Sequence, residues 1–343
     1  MNPKLLAMTL SLGCLAGCAT VPRPELCEAS VSARERSFPT PHTWFGLLLH
    51  GFDAKRSVAP RPSMDCSGAP VAWEEPWADE CREAGLHPTP LPPAERLTEE
   101  DLVLETLQAN QRLAWVITRR YLNGEGLGPV ALVETTKTGF TVRALGSLRG
   151  LTQNVRMRLE RVGGTQVLVA EGEACTQEEP QVCRRAARIL PLRGRRFFSE
   201  AVSGADRTCL GSAWFPLSRE QTLELPNGWR RKFELTSTLS FGADAISVQE
   251  QVAVSDSDPS QPSIAARLYR RAQNERKLTV EDNVLVGSTP SLWARMLEQQ
   301  LVAGARPLPD GSTQPFDDKA TGLAKKPVPA APRGNKAVAQ EQP

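Results

Sequence analysis

From about residue 99 onward, apolar and polar positions alternate with a period of two. In "VRMRLERV", Val155, Met157, Leu159 and Val162 interleave with Arg156, Arg158, Glu160 and Arg161. That period sends successive side chains to opposite faces of a strand. Gly163-Gly164 follows, then the apolar run "TQVLVAEGEAC", so the segment predicts a β-hairpin. "LELPNGWRRKFELTSTLSF" repeats the logic around Asn227-Gly228. Phe233, Leu235, Leu239 and Phe241 share one face there, and Lys232, Glu234, Thr236 and Thr238 the other. "AISVQEQVAV" and "RKLTVEDNVLVGS" continue the pattern, with Asp282-Asn283 as a turn. "RLAWVITRRYLNGEGLGPVALVE" predicts another hairpin across Asn123 to Pro129. Between Glu99 and Leu122, Leu102, Leu104 and Leu107 suit either helix or strand, but the β-branched and aromatic content from Trp115 onward favours strand. Many strands joined by short turns predict antiparallel pairing. The expected fold is mainly β: antiparallel sheets forming a sandwich or a partly open barrel. The polar outer faces do not resemble those of a transmembrane barrel.

Two other patterns interrupt the alternation. Residues 289–304 predict one helix near the C-terminus. Thr289 can cap it, Pro290 suits the first turn and Gly304 can end it. Leu292 with Met296, Trp293 with Leu297, and Leu297 with Leu301 form its apolar stripe. Residues 18–98 are studded with prolines, which break long elements. Within them, Trp44, Phe45, Leu47, Leu48, Leu49 and Phe52 suggest one buried strand or helix, and Trp73 and Trp77 flank Pro76 ahead of Cys81. Residues 304–343 are rich in Pro, Ala, Gly and Lys, with little to bury, and predict a disordered tail. The expected organisation is a signal peptide over 1–17, an irregular Pro-rich segment over 18–98, an antiparallel β domain over 99–303 and the tail.

The first eighteen residues carry the clearest functional signal. Lys4 precedes an apolar stretch from Leu5 to Leu15, too short to span a bilayer, which needs about 20 residues. It matches the apolar region of a secretory signal. Leu15-Ala16-Gly17-Cys18 then resembles the lipobox of bacterial lipoproteins. The resemblance covers residues 1–18 only. It implies cleavage before Cys18 and acylation of that cysteine, whose thiolate is the nucleophile that takes the lipid. Several acyl chains hold a protein on a membrane, where one is marginal. Ala19 is not the Asp that retains lipoproteins in the inner membrane of the best-known bacteria, so the resemblance implies an outer-membrane location facing the periplasm. Cys14 is then a small apolar residue of the discarded peptide.

Cysteine usage agrees with export. Cys27, Cys66, Cys81, Cys175, Cys183 and Cys209 make an even set of six, and an oxidising envelope favours disulfides. Six cysteines allow fifteen pairings. Closeness along the chain suggests Cys66–Cys81 and Cys175–Cys183, leaving Cys27–Cys209. Metal-ligand spacing is missing, and no His sits beside these cysteines, so neither a metal nor another cofactor is expected.

Charge narrows the function classes. There are 41 Lys+Arg against 39 Asp+Glu, a balance that argues against nucleic acid as a partner. "RRAARILPLRGRR", residues 184–196, is a local basic cluster, most simply a solvated strand edge guarded by Arg. "LLLHGFDA" carries a His-Gly turn resembling the oxyanion-hole strand of α/β-hydrolases. No G-x-S-x-G elbow follows it, and His42, His50 and His87 all precede the β body, so the order Ser, acid, His cannot be built. Glu173, Glu178, Glu179, Asp206 and Asp244 are candidates for a carboxylate pair, but polar strand faces carry such residues anyway. No catalytic residue is expected. The expected function is non-enzymatic: binding or scaffolding in the envelope, held to the membrane through Cys18, with an envelope protein or a lipid as partner. A carrier with a hydrophobic ligand in a β cavity is the alternative, and a hydrolase the second.

Overall fold

A computed structural model describes residues 26–73, 89–175, 182–198, 201–282 and 284–308. The chain enters as a short strand β1 (Glu28–Ser30), then two helices, α1 (Ala33–Ser37) and α2 (Pro41–Leu48). Thr40 caps α2 through a reciprocal pair with Thr43, and Pro41 fits the first turn. Trp44, Phe45, Leu47 and Leu48 of α2 are all buried, so the apolar cluster of this segment is a core helix. It lies against an antiparallel meander: β2 (Leu102–Gln108), β3 (Gln111–Val116), β5 (Glu125–Thr135) and β6 (Gly139–Leu151), with the two-residue β4 (Arg119–Arg120) also on β5. β1 pairs with β6 at the start of that strand, Glu28 opposite Thr141.

A second layer follows: β7 (Gln153–Val162), β8 (Thr165–Cys175) and β9 (Cys183–Arg193). The β7–β8 turn is Gly163-Gly164, both at positive φ, 56° and 80°. The short β10 (Arg196–Phe197) turns back on β9 and runs parallel to β6, which ties the two layers together. β9 then pairs with β13 (Trp214–Glu224), where a third layer begins. That layer continues antiparallel through β14 (Arg230–Phe241), β15 (Ile246–Ser257), β16 (Arg267–Glu281) and β17 (Val284–Gly287). β11 (Ala201–Gly204) runs parallel to β17, and β12 (Cys209–Ser212) pairs with β11. Helix α3 (Leu292–Val302) covers one face, and β18 (Arg306–Pro307) returns to β13. The result is a mainly β, antiparallel-dominated mixed sheet, folded on itself but not closed.

Apolar layers stack between these sheets. One face of β3, β5 and β6 meets α2 through Val116, Val133, Phe140 and Val142. The opposite face, with Leu113, Trp115, Val130 and Leu148, meets Leu168, Ala170 and Leu190 of β8 and β9. The reverse side of β8 and β9, with Val167, Val169 and Ile189, meets Phe215, Val248, Leu278 and Leu285 of the third layer. β5, β8 and β9 are thus covered on both faces. This explains their near-continuous apolar runs, "VALV", "VLVA" and "AARIL", beside the alternation expected of half-buried strands.

Three local expectations are corrected. The glycine-rich stretch Gly126 to Pro129 lies inside β5, which begins at Glu125; only residues 121–124 form the turn. The basic run 184–196 is no strand edge, because β9 is flanked by β8 on one side and by β13 and β10 on the other. The α3 cap is Ser291, not Thr289.

The disulfides also differ in part. Cys175–Cys183 closes the β8–β9 hairpin as expected. Cys27 is bonded to Cys66, not to Cys209, which also overturns the Cys66–Cys81 pairing. The pairing follows packing: Cys27 and Cys66 both lie against the layer that buries α2, whereas chain proximity alone favoured Cys81. Cys209 is disulfide-bonded too, and Cys81 and Cys18 lie outside the described residues. Loop entropy makes the 39-residue Cys27–Cys66 link worth about 4 kcal/mol, against about 2.5 kcal/mol for the 8-residue Cys175–Cys183 link. Cys66→Ala should therefore lower the denaturant midpoint more than Cys183→Ala in the oxidised protein. The reverse order would mean that the first link is strained or that its loop is already held in the unfolded chain.

Candidate functional site

The residues with chemical potential are spread widely. His42 sits beside Phe45 and Phe52, with ring centroids 6.2 and 6.1 Å away, and His50 is exposed in the turn after α2. His87, Glu178 and Glu179 lie outside the described residues. Glu173 accepts a hydrogen bond from the Asn154 amide. Asp206 accepts from the Thr208 hydroxyl at 2.7 Å and the Thr208 N–H at 3.1 Å, which hold its carboxyl below the usual range. Where β15 ends, over residues 255–259, Asp256 is forked by Arg231, with both bonds at 2.7 Å, and Asp258 accepts from Ser260. Among the described residues, no three of His, Cys, Asp and Glu gather in a way that could hold a metal ion.

A buried arginine cluster went unseen in the sequence. Arg188 of β9 is 1% exposed and lies between two indole rings, 4.4 Å from the Trp73 centroid and 4.2 Å from that of Trp214. Its Nε donates to the Arg149 carbonyl at 3.1 Å. Arg149 of β6 pairs with Glu125, itself 1% exposed, and stands over the Tyr121 ring at 5.4 Å. Planar guanidinium groups stack on aromatic faces at little cost in solvation, which lets a cation sit in a core junction. These residues join β5, β6, β9 and β13 to the stretch that carries Trp73. The arrangement braces layers and presents no nucleophile.

The surface offers two kinds of concavity. A cleft of about 620 Å³ lies between residues 91–98 and Ile117 to Arg120. Its rim is charged, and Arg120 is committed to Asp101 there at 2.9 and 3.2 Å. A shallower depression of about 540 Å³ covers the polar face of β14, β15 and β16, lined by Thr236, Thr238, Gln249, Gln251, Gln273 and Glu275.

The third feature is one end of the outer layer. The β13–β14 turn, the β15–β16 loop and the end of α3 converge there. Arg230 is opposite Ser257, and Asp256 is opposite Arg267. Arg231 reaches Gln300 of α3 at 2.7 Å and lies over the Tyr269 ring at 3.9 Å. Just past α3, Arg306 pairs with Glu224 on β13. Of the nine large hydrophobic residues exposed among the described residues, six belong to this end: Trp229, Ile264, Leu268, Tyr269, Leu301 and Val302. Exposed single hydrophobics are ordinary, and what sets this end apart is that three chain segments bring them to it. No protein family, curated protein or solved structure matched the chain.

Proposed function

We propose that this protein is a lipid-anchored envelope protein, held through Cys18 to the outer membrane on its periplasmic side, and that it acts by binding rather than by catalysis. The observation that carries the binding half is the gathering of exposed apolar side chains at one end of a layered body whose inner strand faces are packed against one another. The carrier alternative has less support, since the 620 Å³ cleft is open with a charged rim, where a dry apolar cavity would be wanted. The anchor half rests on Leu15-Ala16-Gly17-Cys18 following an apolar stretch of signal length. Disulfides at Cys27–Cys66 and Cys175–Cys183 suit an oxidising compartment.

The test separates the two halves. Cys18→Ser should abolish labelling with a tagged fatty acid and shift the protein from the membrane fraction to the soluble one. Labelling that persists in the variant would refute the anchor. An activity screen of the purified protein that finds turnover sensitive to a single carboxylate substitution would refute the binding half.

A further inference from the structure

We infer that the end of the outer layer formed by the 225–230 turn, the 258–266 loop and the end of α3 is a contact surface for anionic phospholipid. The inference deepens the envelope reading and rests on it only for the presence of a lipid surface.

Three independent chain segments bring apolar side chains to this end. Trp229 comes from the turn, Ile264 from the loop with Leu268 and Tyr269 at the start of β16 just after it, and Leu301 with Val302 from α3. Val302 is 84% exposed and Ile264 64%. Indole and phenol rings beside aliphatic tips match the interfacial zone of a bilayer, where an apolar body and a polar edge are both accommodated. The charge around them has one dominant sign. Asp256 is committed to Arg231. That leaves Arg230, Arg267, Arg270, Arg271 and Arg306, all exposed, against Glu224, Asp258 and Glu298 of α3. A chain that is nearly neutral overall thus concentrates positive charge where its exposed apolar residues are.

The ordinary reading of arginines on β16 is protection of an open strand edge. β16 does have such an edge, because β17 pairs with it only from Leu278 onward. Edge protection accounts for Arg267, Arg270 and Arg271. It does not account for Trp229, Leu301 and Val302, which belong to a turn and a helix. It also predicts that apolar residues would be kept away from the edge, whereas Leu268 and Tyr269 stand between the arginines. Basic residues interleaved with exposed aromatic and aliphatic ones fit an anionic amphiphilic surface.

The test uses the full chain with Cys18→Ser, so that no acyl chain contributes, and extruded vesicles of phosphatidylcholine alone or with 30% phosphatidylglycerol, assayed by co-sedimentation. The expected result is binding to the anionic vesicles that exceeds binding to the neutral ones and weakens as salt screens the charges. Each arginine near such a surface contributes roughly fivefold in partitioning. Changing Arg267, Arg270 and Arg271 to Glu together should lower it at least tenfold. Trp229→Ser should lower it severalfold without removing the preference for anionic lipid. A matched set at exposed sites elsewhere, Arg119, Arg161 and Arg207 to Glu, should change it little. All variants should keep the parent melting temperature within a few degrees, and any that does not is replaced by the corresponding Arg→Gln set. Equal binding to both vesicle types, or anionic binding unchanged by the 267/270/271 set, would overturn the inference. So would dependence on these residues for dimerisation or for binding an acidic strand-forming peptide, with no vesicle binding. Failure of the anchor would show instead as Cys18→Ser leaving fractionation and acyl labelling unchanged, which the vesicle assay does not read.

Discussion

Glu250→Ala is expected to lower the melting temperature by roughly 10 °C or more, which corresponds to about 3–5 kcal/mol. Glu250 stands in the middle of β15 on the face that carries Val248 and Val252 toward the core, and it is 5% exposed. Its carboxylate organises three groups. Oε2 accepts from the Leu292 N–H at 2.8 Å, and Oε1 accepts from the Ser291 hydroxyl at 2.9 Å and from Arg276 at 3.2 Å. The first two bonds satisfy the start of α3, so the helix is capped by a residue some forty positions upstream on the sheet beneath it. A negative charge also suits the positive end of a helix. Arg276 is 6% exposed. Burial pulls its guanidinium below its usual pKa, and Glu250 works against that pull. Truncating Glu250 strands this buried cation and frees the first turn of α3 at once. Glu250→Gln keeps an acceptor for Leu292 and should cost less. Adding Arg276→Met to Glu250→Ala should recover part of the loss, since removing both charges is cheaper than orphaning one. A Glu250→Ala protein that melts within 2 °C of the parent would show that water replaces the carboxylate and that the pair contributes little.

What could be read from the chain was what is decided locally. The β7–β8 and β13–β14 hairpins follow from alternation on either side of Gly163-Gly164 and Asn227-Gly228, and turn chemistry sets such hairpins without help from the rest of the fold. The α3 stripe was visible in Leu292, Trp293 and Met296, which are buried as expected, and Gly304 at φ 88° ends the helix. Leu301 also belongs to the expected stripe but is 46% exposed, because nine positions carry it to the opposite side of the helix from Leu292 and well round from Met296. The helix cap was misplaced because the acceptor that matters comes from Glu250, which no local pattern reveals. The Arg188 stack was invisible for the same reason, since Trp73, Arg149 and Trp214 approach it from three distant stretches. The basic run around it looked like a solvated edge because a single buried Arg cannot be told from an exposed one by composition. The contact end assembled from Trp229, Tyr269 and Leu301 depends on the register of β14, β15 and β16 and on where α3 docks, so it too lay beyond a local reading.

The second large effect is expected at Gly128, where Gly128→Ala should abolish accumulation of folded protein. The stretch "NGEGLGP" reads as a turn because glycines cluster there, yet Gly126 and Gly128 are buried strand positions. A strand glycine often marks a place where another backbone comes close. Here the end of β3 runs beside β5 in the same sheet, and the Val116 carbonyl turns in against Gly128. A Cβ on Gly128 would lie 1.6 Å from the Val116 carbonyl oxygen and 2.6 Å from its carbon. A side chain could rotate away from such a clash, but a backbone carbonyl cannot. Relief would require moving β3 off β5, which carries Trp115, Leu113 and Val130 out of register in the layer between the first two sheets. Close-packed interiors do not absorb a displacement of that size. Gly150 on the neighbouring β6 is the control. A Cβ there meets side-chain atoms at 3.9 to 4.0 Å, an ordinary contact, and the position needs no positive φ. Gly150→Ala should therefore stay within about 1 kcal/mol of the parent. The readout is the yield of folded protein, followed by far-ultraviolet circular dichroism on heating. A Gly128→Ala protein that accumulates and melts like Gly150→Ala would mean that the end of β3 does not approach β5 as closely as described, and the alignment of Trp115 opposite Val130 would have to be given up with it.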